Sequence, residues 1–351
     1  MENMERLNYF SGKRAFVTGG AGFKAKWLID TLLELGCRVY AVDKKLAFEE
    51  ECQSEQLQFQ QANILDTQTI QEILTGYKPD FVFHFAAQAI VSEAYRSIFS
   101  TYSENLLGTL SVFEAIKRSS INPIILNVTT DKVYRNREWI YPYREIDEMG
   151  GVDPYSASKA CVEIMTASYS ESIFKNQLCI INARAGNVIG GGDWNVNRLI
   201  PDVYRSIQNR ETLIVRNPEA VRPWQHVIEP IIAYLLLVEH FASRKLFGLQ
   251  KFNIGPGASG EKTVKRLLRE LKKYSNFDYH IVPSSKFGHE SSILKLSTVK
   301  ISETIGWRPS YNFEESIKLT AQFYENYING TPENLLRSEQ VKEIIYGLRY
   351  G

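Results

Sequence analysis

The stretch RAFVTGGAGFKAKWL, residues 14–28, constrains this chain more than any other. An apolar run enters a glycine turn, and helical periodicity follows from Lys24 to Leu35, so a buried strand, a tight loop and a helix succeed one another without a spacer. Gly19, Gly22 and Ala25 take the three small-residue positions of a dinucleotide fingerprint. Gly19 permits the tight turn, Gly22 lets a pyrophosphate approach the backbone, and Ala25 lets helix and sheet pack closely. Amides at the start of the helix, beside Phe23, then face the phosphates. The next apolar run, RVYAVD, ends on Asp43, a carboxylate placed to accept hydrogen bonds from both adenosine ribose hydroxyls. Its charge opposes a 2'-phosphate, which favours NAD over NADP, with Lys44 and Lys45 pulling the other way.

Further strands are expected at LQFQQANI, FVFHFAA, IILNVTT and LCIINAR, alternating with helical stretches through Asn105–Lys117 and Tyr155–Ile173. That alternation implies an α/β fold, a Rossmann-type doubly wound parallel sheet covered on both faces. In QANILD, Asn63, followed by Ile64, stands where this fold often sets an aspartate against adenine; its amide can still hydrogen-bond. After Gly186 the chain becomes rich in Gly, Pro and Asn, and an amphipathic pattern spans Lys262–Lys273. The expectation is a dinucleotide domain over residues 1–186, possibly joined by later crossover segments, and a smaller C-terminal substrate-binding lobe over 187–351. With 41 basic against 40 acidic residues, nothing in the charge favours nucleic acid or a membrane as partner. Cys37, Cys52, Cys161 and Cys179 lack metal-ligand or CxxC spacing and read as reduced thiols, so no metal is expected. Neither a signal-like segment nor a run of 18 apolar residues is present, giving a soluble cytoplasmic protein as the expectation.

Two further clusters carry chemistry. Tyr155 and Lys159, four apart at the start of an expected helix, share a face. The field of Lys159 and of a bound nicotinamide cation would lower the Tyr155 pKa toward use as a base, and Lys159 would also hold the nicotinamide ribose. Thr130, 25 residues earlier at a strand end, would bond the same substrate hydroxyl. Asp131 and Lys132 follow it directly, adding a carboxylate and an ammonium. Each has a plainer alternative: a helix surface pair, a turn, or a solvated lysine beside Arg135 and Arg137.

The segments GAGFKAKWL, HFAAQAIV, NLLGT, TTDKVYRNREW, GGVDPYSASK, RAGNVIGGGDW, NRLIPD, VRNPEAVRPWQHV, FNIGP and HESSILKL resemble the extended short-chain dehydrogenase/reductase family, and within it the nucleotide-sugar 4,6-dehydratases of the CDP-glucose type. The resemblance implies a homodimeric, NAD-dependent lyase that converts CDP-glucose to CDP-4-keto-6-deoxyglucose and water. Tyr155 would take the C4 hydroxyl proton, and Asp131 would protonate the departing C6 oxygen. Lys132 stands where dTDP-glucose enzymes carry glutamate, and would serve C5 deprotonation or enolate stabilisation. Phe85, Ala86 and Ala87 would pass under the dinucleotide beside His84, Gln88 would reach the sugar, and Asn105 would order the catalytic lysine. Asn187, Arg198, Leu199, Arg222, Trp224 and His226 would contact the nucleotide sugar, with His289 and Glu290 near the nucleotide end and Gly190–Gly192 allowing close backbone approach. An epimerase or reductase on the same scaffold, and a non-catalytic dinucleotide-binding protein, are the competing readings.

Overall fold

The computed structural model describes residues 2–45, 54–257, 260–282 and 294–350. The expected strands form as β1 (Arg14–Thr18), β2 (Arg38–Asp43), β3 (Leu57–Gln61), β4 (Phe81–His84), β5 (Ile124–Val128) and β6 (Cys179–Ala185). Short strands follow at β7 (Val188–Ile189), β8 (Leu213–Val215), β9 (Val221–Pro223) and β10 (Gln225–His226), then β11 (Gly248–Ile254), β12 (Glu261–Thr263) and β13 (Tyr279–Ile281). Seven of them make one parallel sheet in the order β11-β6-β5-β4-β1-β2-β3. Strands β4 and β6 are buried along their whole length, as parallel strands covered by helices on both faces must be. The strand order reverses between β1 and β4, where Thr18 lies beside His84, and a crevice opens there past the carboxyl ends of the strands.

Local signals set the helix ends. The Asp153 carboxylate accepts from Ser156 N at 3.0 Å and Pro154 occupies the first turn, starting the Pro154–Ser168 helix just where Tyr155 must stand. The glycine-loop helix runs Phe23–Glu34. The helical stretch expected from Asn105 is a π-turn, Ser103–Leu107, continuing as an α-helix over Gly108–Arg118. The amphipathic pattern from Lys262 begins as β12 and turns helical only at Val264–Leu271.

After Gly186 the chain leaves the main sheet and later returns to it. Helix Ile228–Ser243, apolar on every side, is buried against β5 and β6. Strand β11 then pairs with β6, setting Phe252 beside Ala183. The intervening and following segments build a second core around Tyr204, Trp224, Leu267, Leu268, Phe313 and Tyr324. Within it the Tyr204 and Tyr324 rings stack with centroids 4.2 Å apart. This smaller layer overhangs the strand ends. No described helix is long and apolar enough to cross a membrane.

Candidate active site

Gly19 carries φ +72°, and a Cβ there would stand 2.7 Å from Ala86 N, so only glycine lets the loop pass this close to β4's exit. The Asp43 carboxylate accepts from Ala21 N at 3.1 Å and from Lys45 N at 2.9 Å, fixing the acid against the loop. Gly19, Gly22, Asp43, Asn63, Ile64, Ala86 and Ala87 line one end of the crevice. A cavity of about 590 Å³ continues along Phe23, Phe85 and Gln88 to Tyr155 and Lys159. Ala25 is buried under the loop in the main core. The residues fit an extended dinucleotide: glycine backbone at the middle, a carboxylate at one end, phenol and ammonium at the other.

A second cavity, about 240 Å³, opens at Tyr155 and is lined by Thr130, Asp131, Lys132, Asn187, Arg198 and Trp224. Both cavities share Lys24, Thr129, Tyr155 and Arg198, so two ligands lying end to end would meet at the phenol. The Thr130 hydroxyl donates to Asp131 Oδ1 at 3.0 Å and accepts from Lys132 N at 3.3 Å. These contacts form a polar turn that also sets a hydroxyl, a carboxyl and an ammonium on one wall of the cavity. Asp131 is 3% exposed, and burial raises its pKa, with Lys132, Thr130, Lys24 and Arg222 restraining the rise. A carboxyl whose pKa is raised by burial is better suited to donate a proton than an ordinary carboxylate.

Burial pushes the Tyr155 phenol up to about 12, and interaction with Thr130 offsets part of this. Of the charges acting on the phenol, Asp131, Arg198 and Asp153 come before Lys159. The Lys159 ammonium instead donates to Val128 O at 3.2 Å, and burial brings it down to about 8 against the field of Glu163. Glu163, one turn further along the helix, accepts from Thr129 Oγ1 at 2.8 Å and from Arg184 Nε at 2.7 Å. Arg184 in turn donates to the Tyr134 hydroxyl at 2.7 Å, which donates to Asn253 Oδ1 at 2.6 Å. This buried chain ties the Pro154–Ser168 helix to the end of β5, to β6 and to β11.

Asn105 is not a helix cap. Its amide closes a reciprocal pair with the Gln88 backbone, at 2.8 and 3.1 Å, and donates to Ser158 Oγ at 2.8 Å, so it bonds the neighbour of Lys159. The Gln88 side chain is turned to Ile90 and Thr101. His84 is a core histidine between the Thr18 and Thr109 hydroxyls, at 2.7 and 2.9 Å. His226 lies outside the cavities, fully buried edge-on to Trp27. Leu199 packs against the second core, and Arg222 reaches the site through its charge on Asp131. Trp224 lines the smaller cavity while its Nε1 donates to Lys262 O at 2.9 Å. Gly191 serves protein packing, since a Cβ there would fall within the Phe323 ring and Trp27 Nε1 donates to Gly191 O at 3.0 Å, whereas Gly190 lines the smaller cavity and Gly192 the larger. His289 and Glu290 lie outside the described residues. Lys24, which lines both cavities, has no sequence signal, because a lysine on the first turn of a helix looks like any solvated surface lysine.

A seven-stranded parallel sheet with a glycine loop at its switch point and a Tyr155/Lys159 pair at the strand ends is the framework of an extended short-chain dehydrogenase/reductase. The family model described as GDP-mannose 4,6 dehydratase matches residues 16–320, and the chain belongs to this nucleotide-sugar 4,6-dehydratase family. It is 35% identical over 335 residues to CDP-glucose 4,6-dehydratase of Salmonella typhimurium, covering 92% of this chain and 93% of that protein. Among solved structures, an epimerase of Methanothermobacter thermautotrophicus superposes with TM-score 0.81 at 23% identity, covering 94% of this chain and 97% of that one. A dTDP-glucose 4,6-dehydratase of Bacillus anthracis in complex with NAD gives TM-score 0.76 at 22% identity, covering 90% and 97%.

Proposed function

We propose that this protein is an NAD-dependent lyase that converts CDP-glucose to CDP-4-keto-6-deoxyglucose and water. The observation that carries the reading is Asp131: a buried carboxyl with a raised pKa, one residue from Thr130 and in the same cavity as Tyr155. Sugar oxidation or epimerisation at C4 needs Tyr155, Thr130 and Lys159 but has no work for a second acid. The similarity to a CDP-glucose enzyme supports the choice of base and sugar.

NAD, held by Gly19, Gly22, Phe23, Asp43 and the Phe85–Ala87 segment, would supply a reversible hydride acceptor. Tyr155 removes the C4 hydroxyl proton, with Thr130 holding that oxygen. The resulting C4 ketone acidifies the C5 hydrogen. Lys132, beside Asp131 on the cavity wall, acts at C5 or on the enolate oxygen, and Asp131 gives its proton to the departing C6 hydroxyl. Asn187, Arg198 and Trp224 line the nucleotide side of the cavity. The pairing of helix Ile98–Tyr102 with the Pro154–Ser168 helix, which leaves Phe99 85% and Ile164 59% exposed, supports a homodimer face here.

Mass spectrometry of products from CDP-, dTDP-, GDP- and UDP-hexoses tests the reading. Loss of water from CDP-glucose without net cofactor reduction supports it; an isobaric product would turn it toward epimerisation.

A further inference from the structure

Lys24 has no part in the chemistry above, yet it lines both cavities. It is half-buried at the second position of the Phe23–Glu34 helix, at the place where the two spaces meet. Among the described residues no group takes a hydrogen bond or ion pair from its ammonium, whereas Lys26, two positions on, pairs with Glu333 at 3.3 Å. The groups facing it are Arg198, Asp131, Lys159 and Asp193, with Tyr155 and Lys132 on the same walls. Of the two carboxylates, Asp193 is already taken by Arg198 at 2.9 Å, and Asp131 is the buried acid. The space between Lys24 and Arg198 is thus lined with more positive than negative charge. A cation in that position calls for an anion from outside the chain.

We propose that Lys24 is a ligand of the nucleotide sugar's diphosphate, closing on it together with Arg198 at the boundary between cofactor and sugar. This rests on the nucleotide-sugar reading and extends it by a residue on the glycine-loop helix itself. The substrate's anionic linker then neutralises a cationic spot that the protein leaves open, and a nucleotide sugar is held against the same helix that carries the dinucleotide. Burial, together with the charges of Arg198 and Lys159, lowers Lys24 to about 8 when the anion is absent. A bound diphosphate reverses that, so binding takes up a proton and weakens as pH rises above 8.

The test is calorimetric titration of NAD-loaded wild type, Lys24→Met and Lys24→Arg with CDP, UDP and GDP, at pH 7 and pH 9. Lys24→Met is expected to weaken nucleoside diphosphate binding by roughly 10- to 100-fold, the range of a lost charge-assisted hydrogen bond. Lys24→Arg should keep binding within about threefold of wild type at pH 7 and weaken less at pH 9, because a guanidinium stays charged. NAD affinity and melting temperature are measured alongside, so that a folding defect in either variant is visible. Unchanged binding in Lys24→Met, equal loss in both variants when both are folded, or no binding by wild type each overturns the assignment. Product analysis with wild type stands apart: failure to release water from CDP-glucose would sink the dehydratase reading, while the titrations still report on Lys24.

Discussion

Replacing Glu163 by Gln should cost more than any surface ion pair in this protein. The Glu163 and Arg184 side chains are 0% and 1% exposed, so the pair is fully withdrawn from water. Gln keeps an oxygen for Thr129 and nearly the same volume, which leaves the orphaned guanidinium as the main defect. Breaking one half of such a pair costs about 3–5 kcal/mol. At roughly 2 °C per kcal/mol, the low end for large domains, the melting temperature falls by about 6–10 °C. Glu163→Leu/Arg184→Met removes both charges and should melt closer to wild type than Glu163→Gln alone, because two apolar groups leave nothing uncompensated. Calorimetric melting of the three proteins at pH 7.5 is the assay. If Glu163→Gln melts with wild type, or the double variant is the least stable, the buried chain does not hold the Pro154–Ser168 helix in the way described.

Other outcomes follow from the same geometry. Tyr155→Phe should lower kcat by about 10²- to 10⁴-fold, the usual worth of a positioned acid or base, with the melting temperature unchanged; a fully active variant removes the phenol from the mechanism. Gly191→Ala should destabilise by about 1–3 kcal/mol, since its methyl overlaps the Phe323 ring, and urea denaturation would show no shift if that packing were loose. His84 and His226 are held down at about 3 by burial, against 6.5 in the unfolded chain. Each therefore contributes a loss of stability as pH falls from 6.5 toward 3, at about 1.4 kcal/mol per pH unit. Glu229, raised by burial to about 7, opposes them as pH falls from 7 to 4.5. His226→Leu should flatten the acid side of the stability profile by one such slope, and an unchanged slope in urea titrations between pH 6 and 4 would contradict the burial argument.

The main sheet was readable because parallel strands buried on both faces are written as near-continuous apolar runs, broken in IILNV and LCIINAR only by Asn127, Asn182 and Arg184. The glycine loop was readable for a related reason: Gly19 must both turn at positive φ and leave no Cβ, which would stand 2.7 Å from Ala86 N. What the pattern hid was long-range. Nothing local in GLQKFNI says that β11 returns to the edge of the sheet, and the apolar helix Ile228–Ser243 has no polar face to announce which layer it enters. In Gly190–Gly192 the sequence could not separate Gly191, which packs on the distant Phe323 ring, from Gly190 and Gly192, which line the cavities. The Glu163–Arg184 pair and Lys24 were hidden in the same way, since a charge on a helix or strand looks solvated until the fold shows what covers it.

The decisive measurement is the fate of CDP-glucose carrying deuterium at C4, incubated with the purified protein and NAD. The proposed internal redox cycle predicts a product lighter by one water, with the C4 deuterium recovered at C6 and no net NADH. Deuterium retained at C4, or a product of unchanged mass, would contradict it.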